Sequence, residues 1–187
     1  MSRVRLPGEA APTVEGSALI KFHAGVGTDD QGRTRNQILA FDDRQIEEVH
    51  DYIQWLFPLP ERSRFNPNAP LLTQEDVMRF RREPKLRQSV AAGLKRMLMF
   101  YGFVRDEDGD VVPAADFGAR AELWLQPQNH NHLRLTRILR CLVLLGLPDE
   151  ALTLYDCLEA IGEDAPELVA AETMKHWHAA VQPLLAD

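Results

Sequence analysis

The sequence lacks most of what would announce a chemistry. Only two cysteines, Cys141 and Cys157, occur in 187 residues, so a disulfide framework is excluded. Both lie in apolar, helix-periodic stretches and read as reduced core thiols, which places the chain in a reducing, cytoplasmic compartment. Cations are in deficit. Lys+Arg 21 against Asp+Glu 28 leaves a net charge of −7, which repels phosphate backbones and excludes nucleic acid as the principal partner. The longest apolar run, Cys141 to Leu147, is about a third of a bilayer span, and Met1 to Gly16 has no apolar signal core. The chain is therefore expected neither to cross a membrane nor to be secreted.

Catalytic and metal motifs are equally scarce. Gly25-Val26-Gly27-Thr28 is not followed by the Lys-Ser/Thr of a phosphate loop, HExxH is missing, and no serine stands in a nucleophile elbow. His130 and His132, like His176 and His178, are two apart and diverge by roughly 200° on a regular helix, a poor geometry for sharing an ion. Asp106, Asp108 and Asp110 alternate like the start of a calcium loop, but the glycine comes too early and the closing glutamate is missing, so a hairpin turn is the reading. No metal and no cofactor is expected.

What is present is a globular composition, 45% apolar and 26% charged, of a size that suits one domain. Met1 to Gly16, with its prolines and glycines, reads as a flexible arm, and 17–187 as one domain. Ala18 to His23 is a short strand candidate. Thr34 caps a short helix, and Asp42 or Asp43 starts a longer one, Asp43 to Phe57, in which Ile46, Val49, Ile53 and Phe57 recur at helical spacing. Pro58 and Pro60 end it, and Leu59 to Leu72 is an extended connector. Thr73 and Asp76 form a capping-box pair before a helix to about Arg82. Another helix runs from Pro84 to Gly102, followed by a hairpin turning at Asp108-Gly109 and a helix over Ala114 to Leu125. The last three helices are predicted at Asn131 to Leu145, at Asp149 to Ile161 ending on Gly162, and at Pro166 to Val181 stopped near Pro183. The fold class is all-α, a single compact helical domain with a short β-hairpin.

Two segments stand out. His50 to Pro58 reads HDYIQWLFP and Asn129 to Leu139 reads NHNHLRLTRIL, with MLMFYG at Met97 to Gly102 between them and an AP-L-LT match around Pro70. Together they resemble the conserved domain of the opioid growth factor receptor family, from about Leu19 to about Gly146. The resemblance implies a receptor-type domain for an enkephalin-type peptide, not a seven-helix receptor, with peripheral membrane association at the nuclear envelope. It supplies no catalytic residues, and nothing that depends on the family's repetitive tail is carried over.

At 100° per residue, Ile46, His50, Ile53 and Phe57 share one face of the first motif's helix, while Trp55 falls on the polar side beside Glu48 and Asp51. An indole there is either the edge of a groove or core for a second neighbour; His50 on the apolar face reads as a core histidine. Arg134, Arg137 and Arg140 form a stripe at spacing three. They either pair internally with Glu47, Glu48 or Asp51 or receive an external anion. Arg140 is assigned to the internal role, and Arg134 and Arg137 are left open between scaffold and site. The leading reading is a peptide- or protein-binding module without catalysis, its contacts Trp55, Asn131, Arg134 and Arg137, supported by His50, Asp51 and His130. Two alternatives stand beside it: a small hydrolase or transferase using His, Asp and Arg on an anionic substrate, and a structural domain that dimerises through an apolar helix face.

Overall fold

The computed structural model describes residues 14–63 and 66–185. Of the arm expected over Met1 to Gly16, residues 1–13 lie outside this range. Among the described residues the chain forms α1 (Ala18–His23), α2 (Arg35–Leu39), α3 (Asp43–Glu48), α4 (Ile53–Leu56), α5 (Gln74–Arg82), α6 (Pro84–Tyr101), β1 (Phe103–Arg105), β2 (Val111–Pro113), α7 (Phe117–Trp124), α8 (His130–Leu145), α9 (Pro148–Asp164) and α10 (Ala171–Leu185). The fold is mostly α, with one two-stranded antiparallel sheet.

Local chemistry starts most of these elements. Thr34, Asp42 and Thr73 each close a capping box, receiving the N–H of the third helical residue while that residue's side chain accepts the cap's own N–H. Gly102 and Gly146 end α6 and α8 in the left-handed conformation, at φ 82° and 79°. Asp106 accepts the N–H groups of Asp108 and Asp110 at 3.0 and 2.9 Å, which makes the alternating aspartates a hairpin turn.

Helix α8 is the hub. It packs against α9 and α10 and also meets α5, α6 and α7, with Leu135, Ile138, Leu139, Leu142 and Leu145 fully buried. Both cysteines are buried free thiols.

Several expectations are corrected. Ala18 to His23 is a helix, not a strand: Ser17 caps it by accepting the Ile20 N–H at 3.2 Å, and Leu19, Ile20, Phe22 and His23 are all buried, so neighbours surround the segment on more sides than a strand's two faces distinguish. The connector returns on itself, Leu72 donating to the Leu59 carbonyl at 3.1 Å, and is not extended. Gly162 lies inside α9 rather than at its end, because it is the space Met174 of α10 packs into. The last helix begins at Ala171 and passes through Pro183, which its final turn accommodates. Most consequential is Asp43 to Phe57, which is two short helices and not one. Val49 is extended, at φ −89° and ψ 128°.

A buried histidine holds the first elements to the core. His23 of α1 donates from Nε2 to the Trp55 carbonyl at 2.9 Å, so its Nδ1 accepts from the Ser89 hydroxyl at 2.8 Å. Burial away from water pushes its pKa down to about 4, the bond to Trp55 opposing. The unfolded chain takes up this proton near pH 6.5 and the folded one only near 4, so stability falls as pH drops through that window, by about 3 kcal/mol in all. Urea unfolding at pH 7, 5.5 and 4.5 should show this loss, and a His23→Gln variant should have a flatter profile.

Candidate functional cleft

The two motifs meet where α3 breaks. A helix end leaves backbone carbonyls without partners, and here an arginine from α8 supplies them. Arg134 donates to the carbonyls of Ile46 at 2.9 Å, Glu47 at 3.3 Å and Val49 at 3.0 Å. It also donates to Asn131 Oδ1 at 3.2 Å and to His50 Nδ1 at 3.1 Å. Tyr52 reinforces the turn, its hydroxyl donating to the Ile46 carbonyl at 3.0 Å and its ring lying 5.7 Å from the guanidinium. Burial pushes the Tyr52 phenol up to about 12, so it remains a donor.

Beside this turn an open cleft of about 260 Å³ is lined by His50, Ile53, Gln54, His130, Leu133 and Arg134. Leu133, in the first turn of α8, is 56% exposed, although most large apolar residues of that helix are core. The His50 and His130 rings meet edge to face at 5.3 Å. Because a guanidinium can only donate, His50 Nδ1 accepts and its Nε2 carries the hydrogen. Burial together with the charge of Arg134 lowers the pKa of His130 against the opposing pull of Glu47. The 3.4 Å contact from His130 Nε2 to Glu47 Oε1 is therefore read as one from a neutral ring.

Of the sequence-derived contacts, His50, His130 and Arg134 line the cleft. Asn131 lies fully buried behind it, donating to Glu47 Oε2 at 3.0 Å and accepting from Arg134. The other three are held elsewhere. Trp55 is in the core at 5% exposure, against Phe22, with its indole N–H on Asp30 at 3.2 Å. Asp51 pairs with Arg33 at 2.6 Å, and Arg137 donates to the Phe57 carbonyl at 3.1 Å. The wheel misplaced His50 and Trp55 for one reason: the break at Val49 resets the helical phase, so His50 turns outward and Trp55 inward.

The arginine stripe is likewise reordered. Arg140 forms an ion pair within the chain, as expected, but with Glu61 near the surface instead of Glu47, Glu48 or Asp51, while Arg134 is the buried one, at 6% exposure. Ile53, Gln54 and Leu133 were not singled out from sequence. Leu133 could have been, since it falls off the face defined by Leu135, Ile138, Leu139 and Leu142.

The geometry defines a mostly helical module that holds an open, partly apolar cleft at a junction of two short helices clamped by an arginine of a third. Residues 34–182 match the family model described as the opioid growth factor receptor (OGFr) conserved region, and the chain belongs to that family. It is 41% identical over 104 residues to the opioid growth factor receptor of Rattus norvegicus, covering 54% of this chain and 18% of that protein. Over 105 residues it is 40% identical to the Homo sapiens opioid growth factor receptor, 54% of this chain and 15% of that protein. Opioid growth factor receptor-like protein 1 of Mus musculus is 37% identical over 106 residues, 56% of this chain and 22% of that protein. The chain thus covers less than a quarter of the length of each of these relatives. No solved structure matches it. No helix among the described residues is long and apolar enough to cross a membrane, and none of their His, Cys, Asp and Glu side chains form a group of three able to hold a metal.

The arginines can be graded by substitution to methionine. Arg134→Met strands the Glu47 and Val49 carbonyls, leaving Ile46 only its bond from Tyr52, and should cost about 3 kcal/mol or more; Arg137→Met, which loses one charged bond, should cost about 1.5 kcal/mol. Arg140→Met should stay within about 0.5 kcal/mol. Urea midpoints of the three variants test the order.

Proposed function

We propose that this chain is a peptide- or protein-binding module without chemistry of its own, and that the cleft between His50, Ile53, Gln54 and Leu133 is its contact surface. The exposed Leu133 beside the His50 and His130 rings carries the reading. At about 260 Å³ the cleft is smaller than the ~300–1,000 Å³ of sites that enclose drug-sized ligands, and it suits one anchoring side chain of a larger partner. The name opioid growth factor receptor, carried by the rat and human relatives, supports a peptide as that partner. The orienting bond of His50 favours binding over catalysis. A general-base imidazole is held by a group that accepts its N–H, whereas His50 is held by a guanidinium that donates to it.

Arg134 acts here as a wall and not as a receptor for an anion, because both terminal nitrogens of its guanidinium are engaged by the turn. Binding to the cleft should therefore rest on apolar contact and on the His50 Nε2 hydrogen. Isothermal titration with a short tyrosine-led opioid peptide should give measurable heat, and Leu133→Ala should weaken the interaction about tenfold while leaving stability within about 0.5 kcal/mol. Absence of heat at high micromolar peptide would remove peptide reception, and equal affinity in the Leu133 variant would remove the cleft.

A further inference from the structure

A second surface, between α6 and β1, shares no lining residue with the cleft. In the hairpin, Ala114 donates to the Gly102 carbonyl at 2.8 Å and Asp106 to the Asp110 carbonyl at 3.0 Å. With Val104 opposite Val112, these bonds fix the even-numbered residues of β1 as those facing β2. Phe103 and Arg105 consequently turn their backbone groups away from the partner strand. Opposite Phe103 stands Pro113, at a non-hydrogen-bonded pair where a proline costs the ladder no bond. Phe103 is buried, but Arg105 is exposed, and its N–H and C=O lie on the open edge of a sheet that has only two strands among the described residues.

This edge borders a groove of about 470 Å³ whose floor is Leu94 and Leu98 of α6. Met99 and Val104 flank it at 54% and 46% exposure, unusually open for residues of their type. Its charge is also distinctive. Lys95 and Arg105 stand on the groove with no ion pair among the described residues; Arg105 donates only to the Gly109 carbonyl at 2.6 Å and to the Thr153 hydroxyl at 3.3 Å. In a chain of net charge −7 the groove lining itself is net positive, Lys95 and Arg105 against Glu150, with Lys95 on the α6 wall away from the acidic turn, Asp106 to Asp110, that follows Arg105. Glu150 lines the same groove, likewise unpaired, and disfavours a carboxylate at its own position.

We propose that the open edge of β1 and the groove beside α6 receive an extended acidic peptide segment of a partner protein. One of its residues pairs with Arg105 through both backbone bonds, an apolar side chain enters over Leu94 and Leu98, and a carboxylate meets Lys95. Strand addition of this kind draws affinity from main-chain bonds and specificity from the alternating side chains. The surface is separate from the cleft of His50 and Leu133, so either can fail without the other.

The test uses the isotope-labelled full chain and a blocked hexapeptide alternating glutamate and valine, with a lysine–valine analogue as control. Amide shifts at Val104 and Arg105, together with methyl shifts at Met99, are expected with the glutamate peptide alone. Arg105→Pro removes the outward N–H without touching a ladder bond and should weaken binding about tenfold beyond Arg105→Gln, which keeps it. Lys95→Glu should abolish the preference for the glutamate peptide, and it carries the test should the proline variant fail to fold. Equal binding of the lysine analogue, shifts confined to the cleft, or no shift at millimolar peptide would overturn the proposal. So would shifts of Val104 and Arg105 that follow protein concentration without peptide, since a second copy of the chain would then be the occupant.

Discussion

The structure turns on one guanidinium. Arg134 reaches from α8 into the end of α3 and takes the carbonyls of Ile46, Glu47 and Val49, so a helix that would otherwise continue stops there. Nothing in the local sequence supplies this stop: Val49 and His50 are neither glycine nor proline, and the carbonyls released by the break would be costly if left without donors. The cap comes from 85 to 88 residues away in the chain, which makes the break a tertiary event. Everything in the cleft follows from it. His50 faces outward, Ile53 and Gln54 reach the cleft from α4, and Trp55 is turned into the core.

The same bond explains why an arginine-rich stripe does not amount to an anion site. Arg137 repeats the pattern one turn on by donating to the Phe57 carbonyl, and Arg140 ends the row on Glu61. Three guanidinium groups at spacing three thus fasten the segment from Ile46 to Glu61 along α8, with burial decreasing from Arg134 to Arg140. Backbone carbonyls, not the carboxylates of Glu48 or Asp51, are the main acceptors. Those acids are satisfied by Arg44 and Arg33 instead.

How much of this was legible follows the range of the interactions. Capping boxes at Thr34, Asp42 and Thr73 and the glycine ends at Gly102 and Gly146 are written within a few residues and could be read directly. The fold class and the core face of α8 were equally plain from periodicity. What escaped was set by contacts between distant segments: the break at Val49, the helical state of Ala18 to His23, and the burial of Gly162 under Met174. In the cleft, His50, His130 and Arg134 were chosen for their chemistry, whereas Ile53, Gln54 and Leu133 depend on where the chain turns. Periodicity assumes a continuous helix, and one residue in the extended region turned His50 outward and Trp55 inward while Ile46, Ile53 and Phe57 stayed buried.

Buried polar groups also fix the elements that wall the cleft. His23 fixes α1 to α4 and α6 through Trp55 and Ser89, Asn131 holds Glu47, and Arg134 holds the turn, each with its partners at hydrogen-bonding distance. An apolar core of the same volume would tolerate small slips of α4 along α8, because dispersion contacts are not directional. Directional bonds to carbonyls do not, since a slip of even part of a helical turn strands a buried acceptor. The walls of the cleft are therefore set before any partner arrives, and binding there would spend little free energy on ordering the receptor side. The β1 edge is built on a different principle, with a flat apolar trough and unpaired main-chain groups that leave the ordering cost to the incoming strand. A partner that already carries an extended acidic segment would keep that cost low.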